Sequence, residues 1–112
     1  MVECVFCGIV AGEVPATLLF RDDRVVGFLD RDGARSPFHA LVVPTAHVAR
    51  LSDLGDVELG GRLLQVVRKV AADAGYAEQF RVVVNNGESA GQEIWHLHLH
   101  VLAGRAFGWP PG

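Results

Sequence analysis

Trp95-His96-Leu97-His98-Leu99-His100-Val101 puts three of the chain's five histidines into seven residues of alternating polar and apolar character. A period of two belongs to a β-strand, whose successive side chains point to opposite faces. The pattern predicts a strand over His96–Leu102, with the imidazoles on one face and Leu97, Leu99 and Val101 filling a core on the other. Upstream, Leu18–Arg21 and Val25–Asp30 read as two short strands joined by a turn at Asp22-Asp23-Arg24. Ala40-Leu41-Val42-Val43, bounded by Pro37 and Pro44, reads as a third, and Arg81–Val84 as a fourth. Residues 4–11 read as one or two helical turns that end near Gly12.

Between the third and fourth strands lies the one long helix. Ser52 or Asp53 can cap its start, and Gly75 is a natural stop. Leu59, Leu63, Val66, Val67, Val70 and Ala74 recur at steps of three and four and form one apolar stripe. Arg62, Gln65, Lys69 and Asp73 fall mostly on the other side. The stripe fits either the sheet or a partner subunit. Several strands around one amphipathic helix, with short connections, predict an α+β domain on a mostly antiparallel sheet.

At 112 residues the chain has room for one domain, spanning 1–112, and half of it is hydrophobic, enough for a core without a disulfide scaffold. The formal charge is −3, and the nine arginines are scattered, which argues against a nucleic-acid backbone as partner. Lys69 is the single lysine, a poor base for Schiff-base chemistry. No apolar run approaches the roughly 18 residues of a membrane span, and Met1-Val2-Glu3-Cys4 lacks the positive start of a signal peptide. The expectation is a soluble, cytoplasmic protein that uses neither nucleic acid nor membrane.

Three imidazoles on one strand face leave three readings open. A solvated polar face is the bland one. A metal site is another, since His-x-His on a strand supplies two ligands for zinc. At about 3.3 Å per residue, however, the Cα atoms of His96 and His100 lie roughly 13 Å apart, so a straight strand cannot bring all three rings to one ion. Phosphoryl transfer uses all three. A neutral imidazole is nucleophilic near neutrality and can form a labile N–P bond that water then cleaves. His98, the central ring, is the best oriented; His100 can hydrogen-bond the phosphate or protonate the leaving group. The loop Asn85-Asn86-Gly87-Glu88-Ser89-Ala90-Gly91-Gln92 leads into these histidines, and backbone N–H groups at Gly87 and Gly91 could form a phosphate nest.

Gly91-Gln92-x-x-x-His96-x-His98-x-His100 is similar to the signature of the histidine triad (HIT) family. The resemblance runs from Phe6 to the C-terminus and includes Val14-Pro15-Ala16, Asp22-Asp23-Arg24, His39, Val43-Pro44 and Trp109-Pro110-Pro111-Gly112. It is closest to the nucleotide-binding branch that hydrolyses purine nucleoside phosphoramidates. It implies a HIT-like fold, a five-stranded antiparallel sheet with one long and one short helix per subunit, and a homodimer. It implies His98 as nucleophile on the α-phosphorus of an AMP-type purine nucleotide, with His100 and the Gly91-Gln92-Glu93 stretch on the phosphate. His39 and His96 would support them. Asp30 would hold the ribose hydroxyls, Asn85 would sit beside ribose and phosphate, and Phe6, Ile9, Val14, Phe28, Leu29 and Leu41 would wall the purine. Three departures stand out: Arg31 where an apolar residue is usual, Glu93 where a hydroxyl is common, and an extra residue between Arg31 and Phe38. The wider family also contains dinucleoside polyphosphate hydrolases and nucleotidyltransferases, and a non-catalytic nucleotide-binding regulator is the third possibility.

Both cysteines lie in Cys4-Val5-Phe6-Cys7, a chelating Cys-x-x-Cys spacing. A thioredoxin-type motif would follow a strand, which this one does not, and a disulfide does not suit a reducing cytoplasm. Simple burial of the thiols competes with zinc. A closed structural zinc needs four ligands. His47 and His96 are not required for phosphate chemistry, and the resemblance to some bacterial relatives with this Cys pair implies the matching histidines. The expected set is Cys4, Cys7, His47 and His96, about one zinc per subunit, with no metal needed for catalysis.

Overall fold

The computed structural model describes residues 4–31 and 34–112; Asp32 and Gly33, within the expected longer loop, lie outside the described residues. A short helix α1 (Val5–Val10) leads into strands β1 (Leu18–Arg21), β2 (Val25–Leu29) and β3 (Phe38–Pro44). The long helix α2 (Val57–Asp73) follows, then β4 (Arg81–Val83) and β5 (Leu99–Ala103). The five strands form one antiparallel sheet in the order β1-β2-β3-β5-β4. The fold is the expected α+β one.

Strand alternation sorts the side chains onto two faces. Val25, Ala40, Val42, Leu99 and Val101 join Leu97 and the α2 stripe Leu59, Leu63, Val66, Val67, Val70 and Ala71 in one buried cluster. The stripe therefore faces the sheet. Helix and sheet pack tightly at Gly27, since a Cβ there would lie 3.2 Å from Val70 Cγ1. Val26, Phe28, Leu41 and Val43 point to the opposite face and bury Phe6 and Ile9 of α1. That second face, only partly covered, also carries His39 and His100.

Apart from shifts of one or two residues at the strand ends, three boundaries differ from the expectations. Helix α2 begins three or four residues late: Leu51–Asp53 is a separate 3-10 turn, Leu54 is extended, and Asp56 caps the helix by accepting from Leu59 N at 3.0 Å. The helix ends at Asp73, before Gly75 turns the chain at φ +93°, so Ala74 is an exposed cap and Ala71 closes the stripe. β5 begins at Leu99 rather than His96. Leu99 is the partner of Val42, which sets Leu97 opposite Pro44, a residue with no N–H to continue the ladder. Leu97 N instead donates to Val48 O at 2.6 Å, and His96 leaves the strand.

Candidate functional site

The uncovered sheet face forms a cleft of about 680 Å³. One end is apolar, lined by Phe6, Ile9, Val14, Phe28, Leu29 and Leu41; the other holds His39, His98 and His100 beside Asn85, Gly91 and Glu93. Asp30 lines it as well. A volume of this size with an apolar slot and a few converging polar groups suits a small ligand.

Hydrogen bonds assign the ring protons. A carbonyl only accepts, so His98 Nδ1, 2.8 Å from His96 O, carries its proton and leaves the lone pair on Nε2. Arg35 N donates to His39 Nδ1 at 3.0 Å, which puts the His39 proton on Nε2. From there it donates to His100 Nδ1 at 2.9 Å, with Asp30 Oδ2 3.5 Å away. His100 is left with a proton on Nε2. The chain Arg35–His39–His100 thus turns His100 into a donor, while the His96 carbonyl turns His98 into a base or nucleophile. Burial, then His98 and His39 nearby, push the His100 pKa down to about 4, so it is neutral at pH 7. This tautomer pattern also disfavours a cation among Asp30, His39 and His100, whose ligand atoms cluster within 4.8 Å, because His39 Nε2 is protonated.

Phe6 packs its ring against His98 (centroids 5.1 Å), Phe28 (5.6 Å) and His96 (5.9 Å). It ties the His98 ring to α1.

His96 belongs to a different cluster. It is fully buried, and its Nε2 donates to Pro44 O at 2.9 Å, which aims the Nδ1 lone pair at the cysteines. Cys4 Sγ lies 3.4 Å from His96 Nδ1; Cys7 Sγ lies 3.5 Å from it and 3.2 Å from His47 Nδ1. A tetrahedral zinc spaces its sulfur and nitrogen ligands about 3.5 Å apart. All four ligand atoms fall within 4.8 Å of one another, so this set can hold a metal ion. The hydrogen bond to Pro44 is the second partner that metal-bound histidines use to hold their tautomer. Burial pushes the Cys7 thiol pKa up, with Cys4 adding to it, so a thiolate here needs a cation beside it.

Two expected contacts are absent from the cleft. The Gln92 side chain is buried and bonds Ala49 O, Ile94 O and Gly87 N, so it holds the loop together. The N–H groups of Gly87 and Gly91 are taken by Gln92 Oε1 and Glu88 O, which leaves neither for a phosphate nest. Arg35 and Ile94 also line the cleft, although the sequence reading passed over them, and so do Pro15 and Ala16, which it quoted only as part of the resemblance. Arg35 sits in an irregular loop, where no periodicity points to it.

Fold and site together define an α+β protein whose five histidines are split, three rings at a cleft and two beside a Cys-x-x-Cys pair. The chain belongs to the HIT domain family, whose model matches residues 11–107. It is 37% identical to the adenylylsulfatase HINT1 of Arabidopsis thaliana, over 96% of this chain and 76% of the relative. It is 32% identical to the 14 kDa zinc-binding protein of Brassica juncea, over 98% and 100%. The solved structure of a HIT family hydrolase from Legionella pneumophila Philadelphia 1 is 40% identical and superposes with a TM-score of 0.93, covering 98% of this chain and 100% of that one.

Proposed function

We propose that the chain hydrolyses purine nucleoside 5′-phosphoramidates, such as AMP joined to an amine, through a nucleotidyl intermediate on His98. The observation that carries this reading is the bond from His98 Nδ1 to the His96 carbonyl at 2.8 Å, which leaves the Nε2 lone pair of a cleft-lining ring available. That lone pair attacks the α-phosphorus, the P–N bond to the amine breaks, and the departing nitrogen takes a proton from solvent. Water then adds to phosphorus, the P–N bond to His98 breaks, AMP leaves, and one proton returns to solvent. His100, neutral with its proton on Nε2, serves as hydrogen-bond donor to the phosphoryl oxygens rather than as the acid. Phe6, Ile9, Val14, Phe28, Leu29 and Leu41 take the purine, Asp30 the ribose hydroxyls, and Asn85 sits beside ribose and phosphate. Glu93 is exposed and can keep its carboxylate in water.

The same attack fits adenylyl sulfate, with sulfate leaving in place of the amine, and the name of the Arabidopsis relative favours including it. A panel of AMP-amine, adenylyl sulfate and dinucleoside polyphosphate substrates separates the branches. His98→Asn is expected to lower turnover by about a thousandfold or more on the preferred substrate. Unchanged turnover in that variant overturns the assignment.

The reading extends to a structural zinc on Cys4, Cys7, His47 and His96, supported by the ligand spacing and by the name of the Brassica relative. With four protein ligands it offers no open position for water, so its contribution is to hold α1 on the sheet. It extends also to a homodimer, with the tail around Trp109 reaching toward the partner's cleft and shaping the leaving-group side.

A further inference from the structure

We infer that Arg31 makes this cleft selective for 6-oxopurine nucleotides, those of guanine or hypoxanthine, over adenine nucleotides. The inference rests on the reading of the cleft as a purine nucleotide site and names the base it takes.

Arg31 lines the cleft just beyond β2. Its Nη1 donates to Thr17 Oγ1 at 3.1 Å, and Thr17 O in turn accepts from Leu29 N at 3.1 Å. Thr17 directly follows Val14, Pro15 and Ala16, which line the same cleft. The Arg31 side chain is therefore tied at the apolar end, where Phe28 and Leu29 meet the 14–16 segment. Arg35, His39, His98 and His100 belong to the other end, which is joined by its own hydrogen bonds.

A base lying in the apolar end has its faces covered by hydrocarbon and its edge presented to whatever polar group borders the slot. The guanidinium offers five N–H donors in a planar fork and no acceptor, and Thr17 uses one donor. Guanine and hypoxanthine present two adjacent acceptors, O6 and N7, which match that fork. Adenine presents N7 beside the N6 amino group, so one prong of the fork meets another donor. A hydrocarbon side chain at this position would not tell the bases apart.

Calorimetric titration of the full chain with AMP, IMP and GMP tests this. The native chain is expected to bind GMP and IMP about tenfold more tightly than AMP, the low end for a bidentate contact because Arg31 is exposed. In Arg31→Leu the three affinities are expected to fall within about twofold of one another. Thermal melting of the variant alongside the native chain checks that the fold is kept. Equal binding of the three, or tighter binding of AMP, by the native chain overturns the inference and leaves the nucleotide reading standing. A preference that survives in Arg31→Leu overturns it too, as does a preference for GMP that IMP does not share, since the 2-amino group would then be what is read. If none of the three binds, the purine nucleotide reading itself fails and takes the inference with it.

Discussion

His100 lies between His98 and His39, with Asp30 and Arg35 close by, and its pKa of about 4 sits well below the 6.5 of a free imidazole. Burial is the largest cause, and the neighbouring rings add to it. In the unfolded chain the ring takes up a proton as pH falls through about 6.5, whereas in the folded chain it resists until about 4. The stability it contributes is complete above about 6.5 and is lost as pH falls toward 4. Urea midpoints measured from pH 7.5 to 4.5 should drop for the native chain and drop less steeply for His100→Asn. Parallel curves for the two would show that His100 is not the source. Two residues earlier, His98 differs because its Nδ1 bonds a carbonyl instead of a ring nitrogen. One residue type thus takes opposite roles on neighbouring positions, set at His98 by the backbone two residues before it and at His100 by His39, 61 residues away.

At the scale of elements, α1 does two jobs. Cys4 caps it, with Sγ accepting from Cys7 N at 3.4 Å, and both sulfurs face His96 or His47. Its other side buries Phe6 and Ile9 against Phe28 and Leu41. Six residues of helix are too few to hold together alone, so α1 depends on these two anchors. Protein purified without chelator should carry about one zinc per chain, and Cys4→Ser with Cys7→Ser should carry none. The double variant should melt on the order of 10 °C lower, the shift expected from losing roughly 2 kcal/mol in a domain of this size. Nucleotide affinity should weaken as Phe6 and Ile9 loosen, while turnover through His98 persists in part. Native protein that returns no zinc on elemental analysis would remove the site.

For the whole molecule, the sheet ends on β4, and α2 presents Val57, Gly61 and Leu64 in one exposed row at steps of four and three. Val57 is 88% exposed and Leu64 53%, with a glycine between them that allows close approach of a second helix. Sedimentation at micromolar concentration should give twice the 12.1 kDa chain mass, and Leu64→Glu should shift it toward the monomer. A native chain that sediments as a monomer contradicts the homodimer. Among the described residues no helix is long and apolar enough to cross a membrane.

The periodicities of His96–Val101 and Leu59–Val70 were enough to define an α+β sheet protein, because burying one face imposes a repeat on every strand and helix. The Cys-x-x-Cys spacing and the histidine run likewise named the chemistry-bearing residues, since those residue types cluster within a few positions. Other features depended on contacts between distant segments. Pro44 ends the ladder opposite Leu97, and this sends His96 to the cysteines while His98 and His100 stay in the cleft. Asp56 rather than Asp53 caps α2, where it also meets Arg24 at 2.6 Å across the fold. Arg35 sets the His39 tautomer through a backbone N–H, and Gln92 turns away to bind Ala49 O. Local sequence carries periodicity and propensity; which donor meets which acceptor depends on segments that become neighbours only when the sheet has formed.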